Sequence, residues 1–228
     1  KTHLNLVEAI VNKGCRLLIV EKPLLTSSEQ IDRFENILNT SSIPIIINYP
    51  RYWDSQLKNI RSILNSNLKS LRSIRFMHSS TFENYGGHFW HFLRSVFDID
   101  DFWLISKSII IVVINEIKIS IDIQNVSLRK TTSLFEIDFI FENEIFSLTQ
   151  GGRLWLKRIL VDSDIHSGFS YFSTAEQMFY GYDDAMLNMA NYAVDECWKP
   201  DHVWSLMSQQ VMVEKEFVQL LSDSTGFN

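Results

Sequence analysis

The sequence predicts an α/β segment followed by a larger α+β region. Arg16–Val20 and Pro44–Asn48 are short, continuously apolar runs, and a helical pattern precedes each of them. Such runs are typical of parallel strands that are covered on both faces. Ile117–Ile123 instead alternates apolar and polar residues, which indicates an antiparallel strand with one buried face. We therefore expect the C-terminal part of a doubly wound parallel sheet and then a large open, mainly antiparallel sheet.

The individual elements follow from capping residues and periodicity. Gly14 is a plausible C-cap for a helix over 3–13, and Thr26, Ser27 or Ser28 can cap a second helix that runs to about Leu38. After a domain boundary near residue 49, the patterns predict helices at 54–64, 176–197 and 201–222 and strands at 70–78, 109–114, 117–123, 134–141, 145–149 and 153–158. The predicted domains are 1–49 and 50–228.

Composition excludes several classes of protein. Of the 228 residues, 46% are hydrophobic and 21% charged, as in globular proteins. A net charge of −6 makes nucleic acid a poor partner, and the most apolar run, Ile109–Ile114, is far shorter than a membrane span. Two cysteines, Cys15 and Cys197, are too few for a disulfide framework. With no signal-peptide pattern in the sequence, we expect a cytoplasmic protein without a membrane partner.

The first candidate site is Glu21-Lys22-Pro23, directly after the first apolar strand. Ligands bind at the carboxyl ends of strands in open α/β sheets. Burial at such an edge can lower the pKa of a lysine far enough for it to act as an acid or a base. Taken alone, Lys22 is more typical of a solvated surface charge.

The second candidate site is the run from Asn84 to His91. Gly86-Gly87 predicts a turn into a helix, with His88 in its first turn, where the helix N-terminus would favour a neutral imidazole. A capping His88 and a packed His91 are the alternatives. This histidine pair has a metal-ligand spacing, but no third ligand lies nearby, so no metal is expected. Gly151-Gly152 stands between two predicted strands and indicates a hairpin turn, not a phosphate-binding loop.

These two sites, in this order and at this separation, resemble the Gfo/Idh/MocA family of nicotinamide-dependent sugar oxidoreductases. The stretch from His3 through Gly14 to Glu21-Lys22-Pro23 is similar to the segment that ends in the family's EKP signature. Asn48-Tyr49-Pro50-Arg51 resembles its asparagine-plus-arginine turn, and the residues from Gly87 to Arg94 resemble its GxHxxDLxR helix. Two positions depart from the pattern: Asn84 stands where an acidic residue is frequent, and His91 replaces an aspartate.

The resemblance implies hydride transfer between NAD or NADP and a hydroxyl or keto carbon of a sugar or nucleotide-sugar, as in sugar metabolism or polysaccharide biosynthesis. It implies catalytic roles for Lys22 and His88 and substrate contacts for Asn84 and Arg51. His3, Glu21, Lys22 and Pro23 would line the cofactor site. The predicted sheet implies a homo-oligomer, for which the face bearing Ile137, Phe139 and Phe141 is the expected interface. A non-catalytic sugar- or dinucleotide-sensing regulator is the alternative function.

One feature of the family is absent from these 228 residues, namely the strand and glycine-rich turn that bind the cofactor pyrophosphate. The resemblance predicts such a segment ahead of Lys1, with roughly 70–80 further residues by analogy with a doubly wound domain. It also predicts that residues 1–228 alone neither bind the cofactor nor catalyse the reaction, because most of the contacts to the cofactor would be lost.

Overall fold

The computed structural model describes residues 3–41, 43–126, 134–196 and 199–225. Its helices are α1 His3–Ile10, α2 Ser28–Thr40, α3 Leu57–Ser66, α4 Phe82–Val96, α5 Ala185–Glu196 and α6 Pro200–Thr225. Its strands are β1 Leu18–Glu21, β2 Ile45–Asn48, β3 Leu71–His78, β4 Ile99–Ser106, β5 Ile109–Ile114, β6 Ile117–Asn125, β7 Phe135–Phe141, β8 Glu144–Thr149, β9 Leu154–Asp162, β10 Ser170–Phe172 and β11 Glu176–Tyr180. Cys197 lies outside the described residues.

The first two strands form a small parallel sheet, as their continuous apolarity predicts. Leu18 pairs with Ile45, and Glu21 pairs with Asn48 at the carboxyl ends. Helix α6 closes the outer edge of β2, because the Gln210 side chain accepts a hydrogen bond from Ile47 N–H at 2.8 Å and donates one to Ile47 C=O at 2.9 Å. Further strands can therefore be added to this sheet only beside β1.

The described strands β3 to β11 form a nine-stranded sheet in the order β10-β9-β8-β7-β3-β6-β5-β4, with β11 paired to β9. Neighbouring strands are antiparallel except for β3 and β6. One face packs on α4: the Phe76 and Phe89 rings stack with centroids 4.3 Å apart. The predicted open, mainly antiparallel sheet is thus confirmed.

The other face of this sheet carries half-buried apolar residues and an ionic row. Arg75 pairs with Asp138 at 2.6 Å, and Ser147 donates to the same carboxylate at 2.6 Å. On the same face, the neighbouring row of cross-strand residues includes Ile111 and Ile140. The face expected to form a subunit interface was therefore misidentified, since Ile137, Phe139 and Phe141 are buried inside the molecule, on the helix-covered side.

One other prediction was wrong, and two strands were not predicted. Residues 176–180 form β11 instead of the start of a helix, because they pair with β9, and α5 begins only at Ala185. Strand β4 was missed because irregular register at both ends disrupts its alternation. Strand β10 was missed because its three residues are all exposed.

The remaining error concerns Gly86-Gly87, which lie inside α4 and not in a turn before it. His88 is consequently in the second helical turn. A Cβ at Gly86 would come within 2.8 Å of the Phe82 and Phe217 rings, so this glycine allows α4 and α6 to pack closely.

This packing predicts different stabilities for two neighbouring alanine variants. Gly87→Ala places its Cβ no closer than 3.4 Å to Phe217 and gains helix propensity, whereas Gly86→Ala forces the rings apart. We expect Gly86→Ala to unfold with a free energy about 1–3 kcal/mol below that of Gly87→Ala, the usual cost of overpacking. Urea denaturation followed by circular dichroism measures the difference. Equal stabilities would contradict the close approach of the two helices.

Candidate functional site

Four of the predicted site residues meet at the carboxyl end of the small parallel sheet. Lys22 follows β1, and its Nζ donates a 3.4 Å hydrogen bond to the backbone carbonyl of Asn84 in the first turn of α4. His88 follows Asn84 by four residues and so projects from the same side of that helix. The positive charges of Lys22 and Arg51 both lie near enough to influence the pKa of His88.

Burial and charge together determine the protonation of this pair. Desolvation, followed by the positive charges of Arg51 and Lys22 and by His91, lowers the pKa of His88 to about 2. Desolvation also lowers the pKa of Lys22, and Arg51 adds to this effect while Glu21 opposes it. His88 is therefore neutral at ordinary pH. The sequence analysis attributed a neutral His88 to a helix N-terminus. In the structure, burial and the nearby cations lower its pKa instead.

Arg51 is held behind the site by contacts on several sides. Its side chain stacks over the Phe135 ring at 3.6 Å, lies 5.2 Å from the Tyr182 ring, and donates from Nη2 to the Gly151 carbonyl at 2.7 Å. The residue is only 8% exposed, and burial lowers its pKa to about 10. Arg51 thus acts on the site chiefly through its charge and by supporting its wall.

The other predicted residues hold the loop that carries Lys22. His3 Nδ1 lies 3.2 Å from the Pro23 carbonyl oxygen, and the Lys22–Pro23 peptide bond is cis. The Glu21 carboxylate accepts a 2.6 Å hydrogen bond from Asn48 Nδ2. The side chain of Asn84 is exposed and donates to Ser80 Oγ at 3.1 Å, so its backbone carbonyl is what contacts Lys22.

Some buried polar atoms without a hydrogen-bond partner belong to this site and its surroundings. Among the described residues they include Asn48 Oδ1, Arg51 Nε, His88 Nδ1 and His91 Nε2. Buried polar groups are normally paired, and exceptions are frequent where a ligand or an ordered water binds. The unpaired atoms of Arg51 and His88 therefore make this part of the chain a candidate ligand site. No group of three or more metal-ligating side chains occurs in the described ranges.

Comparisons with known proteins bear on the fold. No protein-family model and no curated protein sequence matches the chain. Solved structures do match. An inositol dehydrogenase homologue from Azotobacter vinelandii, complexed with NADH and myo-inositol, aligns over 98% of this chain and 73% of its own, with 10% identity and a TM-score of 0.66.

Two further matches are a ketoreductase and a super-repressor mutant. A mutant of KijD10, a 3-ketoreductase from Actinomadura kijaniata in complex with TDP-benzene and NADP, has 10% identity and a TM-score of 0.69 over 97% of this chain and 74% of that one. A super-repressor mutant of Gal80p from Saccharomyces cerevisiae has 8% identity and a TM-score of 0.65, and the alignment covers 98% of this chain and 75% of that one. The chain has the Gfo/Idh/MocA fold. The resemblance seen in the sequence is confirmed at this level.

Within this Gfo/Idh/MocA fold, sequence reasoning missed three residues around the site. Tyr49 stacks on His91 with ring centroids 3.4 Å apart and meets the His88 ring edge-on at 5.9 Å. Tyr182 covers Arg51 from a backbone with φ of +77°, a conformation that is costly for a bulky residue. The third residue, Glu214, is wholly buried and accepts a hydrogen bond from Tyr49. Tyr49 lies within the Asn48–Arg51 turn but was given no role there, and no local motif marks Tyr182 or Glu214.

The contact between Arg51 and the hairpin turn leads to a prediction with a built-in control. Gly151 and Gly152 both have positive φ, so alanine strains the backbone at either position. A Cβ at Gly151 meets nothing within 4 Å, whereas one at Gly152 lies 2.6 Å from Arg51 Nε. We expect Gly152→Ala to be less stable than Gly151→Ala by about 1–3 kcal/mol, because the buried guanidinium must move.

Denaturant unfolding of the two variants measures this difference. Arg51→Met tests its origin, because removing the guanidinium should bring the two alanine variants to nearly equal stability. A difference that persists in the Arg51→Met background would show that backbone strain at Gly152, and not Arg51, is responsible.

Proposed function

We propose that this chain belongs to an NAD(P)-dependent oxidoreductase that transfers a hydride between the nicotinamide cofactor and a hydroxyl or keto carbon of a sugar or nucleotide-sugar. In this proposal, residues 1–49 are part of the cofactor domain, and residues 50–228 form the substrate and oligomerisation domain. The observation that carries it is the placement of Lys22, with its lowered pKa, beside neutral His88 at the carboxyl edge of parallel strands. Similar structures crystallised with NADH, NAD+ and NADP support it.

The proposed chemistry divides the work between two side chains. Lys22 donates a hydrogen bond to the reacting oxygen and takes or gives its proton, since its ammonium is easier to deprotonate than a solvated one. His88 stays neutral, orients the same hydroxyl and is available to share the proton. Asn84 contacts the substrate from the exposed start of α4, and the buried charge of Arg51 stabilises negative charge on the reacting oxygen.

The cofactor fits the available groups at one end only. When bound, the nicotinamide supplies the hydride acceptor or donor, and the loop of Glu21, Lys22 and Pro23, backed by His3, would lie against it. The sequence contains no GxGxxG turn, so the pyrophosphate needs a binding site outside residues 1–228. We therefore expect residues 1–228 alone to give no detectable cofactor binding in a calorimetric titration.

A sugar- or dinucleotide-sensing regulator is the second candidate, because a repressor protein, Gal80p, is among the similar structures. A regulator needs the candidate site but not an acid–base pair. The paired placement of Lys22 and His88, with cationic Arg51 behind them, favours the enzyme. We expect the protein to act in the cytoplasm, since the free thiol of Cys15 suits a reducing compartment. None of the described helices is long and apolar enough to cross a membrane.

Kinetics of site variants test the proposed reaction. In a chain that includes the cofactor-binding segment, Lys22→Ala and His88→Ala are each expected to lower kcat by roughly 10²- to 10⁴-fold, the usual contribution of a positioned acid or base. The exposed Lys58 on α3 provides the matched control, because Lys58→Ala should keep the wild-type rate. Cofactor affinity should survive His88→Ala. Wild-type turnover in both site variants would favour the regulator.

We further propose that copies of the chain associate through the face of the large sheet that bears Ile111 and Ile140. Ile111→Lys should shift the protein towards the monomer in sedimentation experiments, because a charge would be buried in the contact. Leu187 on α5 is 63% exposed and lies off this face, so Leu187→Lys is the control and should leave the oligomer intact. A wild-type chain that sediments as a monomer would contradict the proposal.

A further inference from the structure

Helix α6 carries a buried carboxyl group whose two contacts lead to both halves of the candidate site. Glu214 is fully buried. One carboxyl oxygen accepts a hydrogen bond from Leu25 N–H at 3.1 Å, and the other accepts one from the Tyr49 hydroxyl. Leu25 and Tyr49 belong to different loops, so this one side chain joins α6 to both of them.

Each loop positions one member of the proposed acid–base pair. Leu25 is three residues beyond Lys22, in the loop between β1 and α2 from which Lys22 reaches the Asn84 carbonyl of α4. Tyr49 stacks on His91 at 3.4 Å and contacts the edge of His88 at 5.9 Å, so its ring supports the face of α4 from which His88 projects. The hydroxyl of Tyr49 also lies close to Gly87, where an added Cβ would be 3.5 Å away.

A carboxyl group in this location has an energetic cost that fold stability alone does not explain. Burial raises the pKa of Glu214 to about 7, although the hydrogen bonds from Tyr49 and Leu25 act in the opposite direction. When all partners of a buried polar contact are replaced by apolar side chains of similar volume, stability is often unchanged. Glu216, two residues further along, differs from Glu214 because its carboxylate is paired with the cationic guanidinium of Arg94.

We propose that Glu214 is a positioning residue that sets the separation of Lys22 and His88 by linking their two loops to helix α6. This inference rests on the proposed oxidoreductase function. It adds a residue of the C-terminal helix to the determinants of the reaction. Glu214 acts through Leu25 and Tyr49 and does not itself touch the substrate or the cofactor.

The test combines one readout that needs no substrate with one that does. The first is the rate at which Lys22 is reductively methylated in the folded protein, measured by mass spectrometry relative to the exposed Lys58. The second is the kcat of the longer chain that contains the cofactor-binding segment. The variants are Glu214→Leu, which removes both hydrogen bonds, and Glu214→Gln, which keeps an acceptor for Leu25 N–H and a polar partner for Tyr49.

We expect Glu214→Leu to change the Lys22-to-Lys58 labelling ratio by several-fold and to lower kcat by about 10- to 100-fold with little change in KM, as a small misplacement of a catalytic group does. Glu214→Gln should restore both values to within a few-fold of the wild type. Asp223→Leu is the control: it removes an exposed carboxylate from the C-terminal end of the same helix, where it accepts a hydrogen bond from Gln219, so it should leave the labelling ratio and kcat unchanged.

The outcomes separate this inference from the proposed function. If the wild type turns over no sugar substrate, the proposed function fails, and the labelling ratio still tests whether Glu214 positions Lys22. If Glu214→Leu does not fold, Tyr49→Phe is used instead, because it keeps the stacked ring and removes only the hydroxyl contact. It should change the labelling ratio in the same direction as Glu214→Leu but by a smaller factor. A folded Glu214→Leu or Tyr49→Phe variant with the wild-type ratio and kcat would overturn the inference.

Discussion

The packing of helix α6 between the small parallel sheet and helix α4 is the contact on which the rest of the structure depends. Gln210 binds both backbone groups of Ile47 and so takes the place of a neighbouring strand at the edge of β2. One helical turn later, Glu214 binds Tyr49 and Leu25, and Glu216 binds Arg94 and Trp90. Because Gln210 and Glu214 are buried one helical turn apart and Glu216 pairs with Arg94 of α4, helix α6 fixes the position of α4 relative to β1 and β2.

That relative position creates the electrostatic environment of the candidate site. Lys22 comes from the loop after β1, Arg51 from the turn after β2, and His88 from α4, so the two cations meet the imidazole only where α4 approaches the small sheet. Desolvation then disfavours additional positive charge, and the imidazole remains neutral while the lysine loses part of its affinity for a proton. Neither effect belongs to a single residue or motif.

The large sheet illustrates how far periodicity can be used. The alternation in β6 correctly marks Ile119, Ile121 and Ile123 as its buried face. Sequence alone does not say which face of the assembled sheet the helices cover, and the aromatic residues of β7 were accordingly assigned to a subunit interface although they pack on α4. Strand β4 lost its alternation to irregular register, and β11 formed where a helix was predicted because pairing with β9 outweighed local propensity.

The sequence by itself determined the order of most elements, the parallel character of the small sheet and the mainly antiparallel character of the large one, and the two motifs that contain Lys22 and His88. These features depend on local patterns, such as continuous or alternating apolarity and a charged residue directly after a strand. Only the tertiary structure decided that Gly86-Gly87 lie within α4, that burial and Arg51 set the protonation of His88, and that Glu214 supports the site. The physical reason is that close helix packing, desolvation and charge proximity arise between residues far apart in the chain, and no local pattern records them.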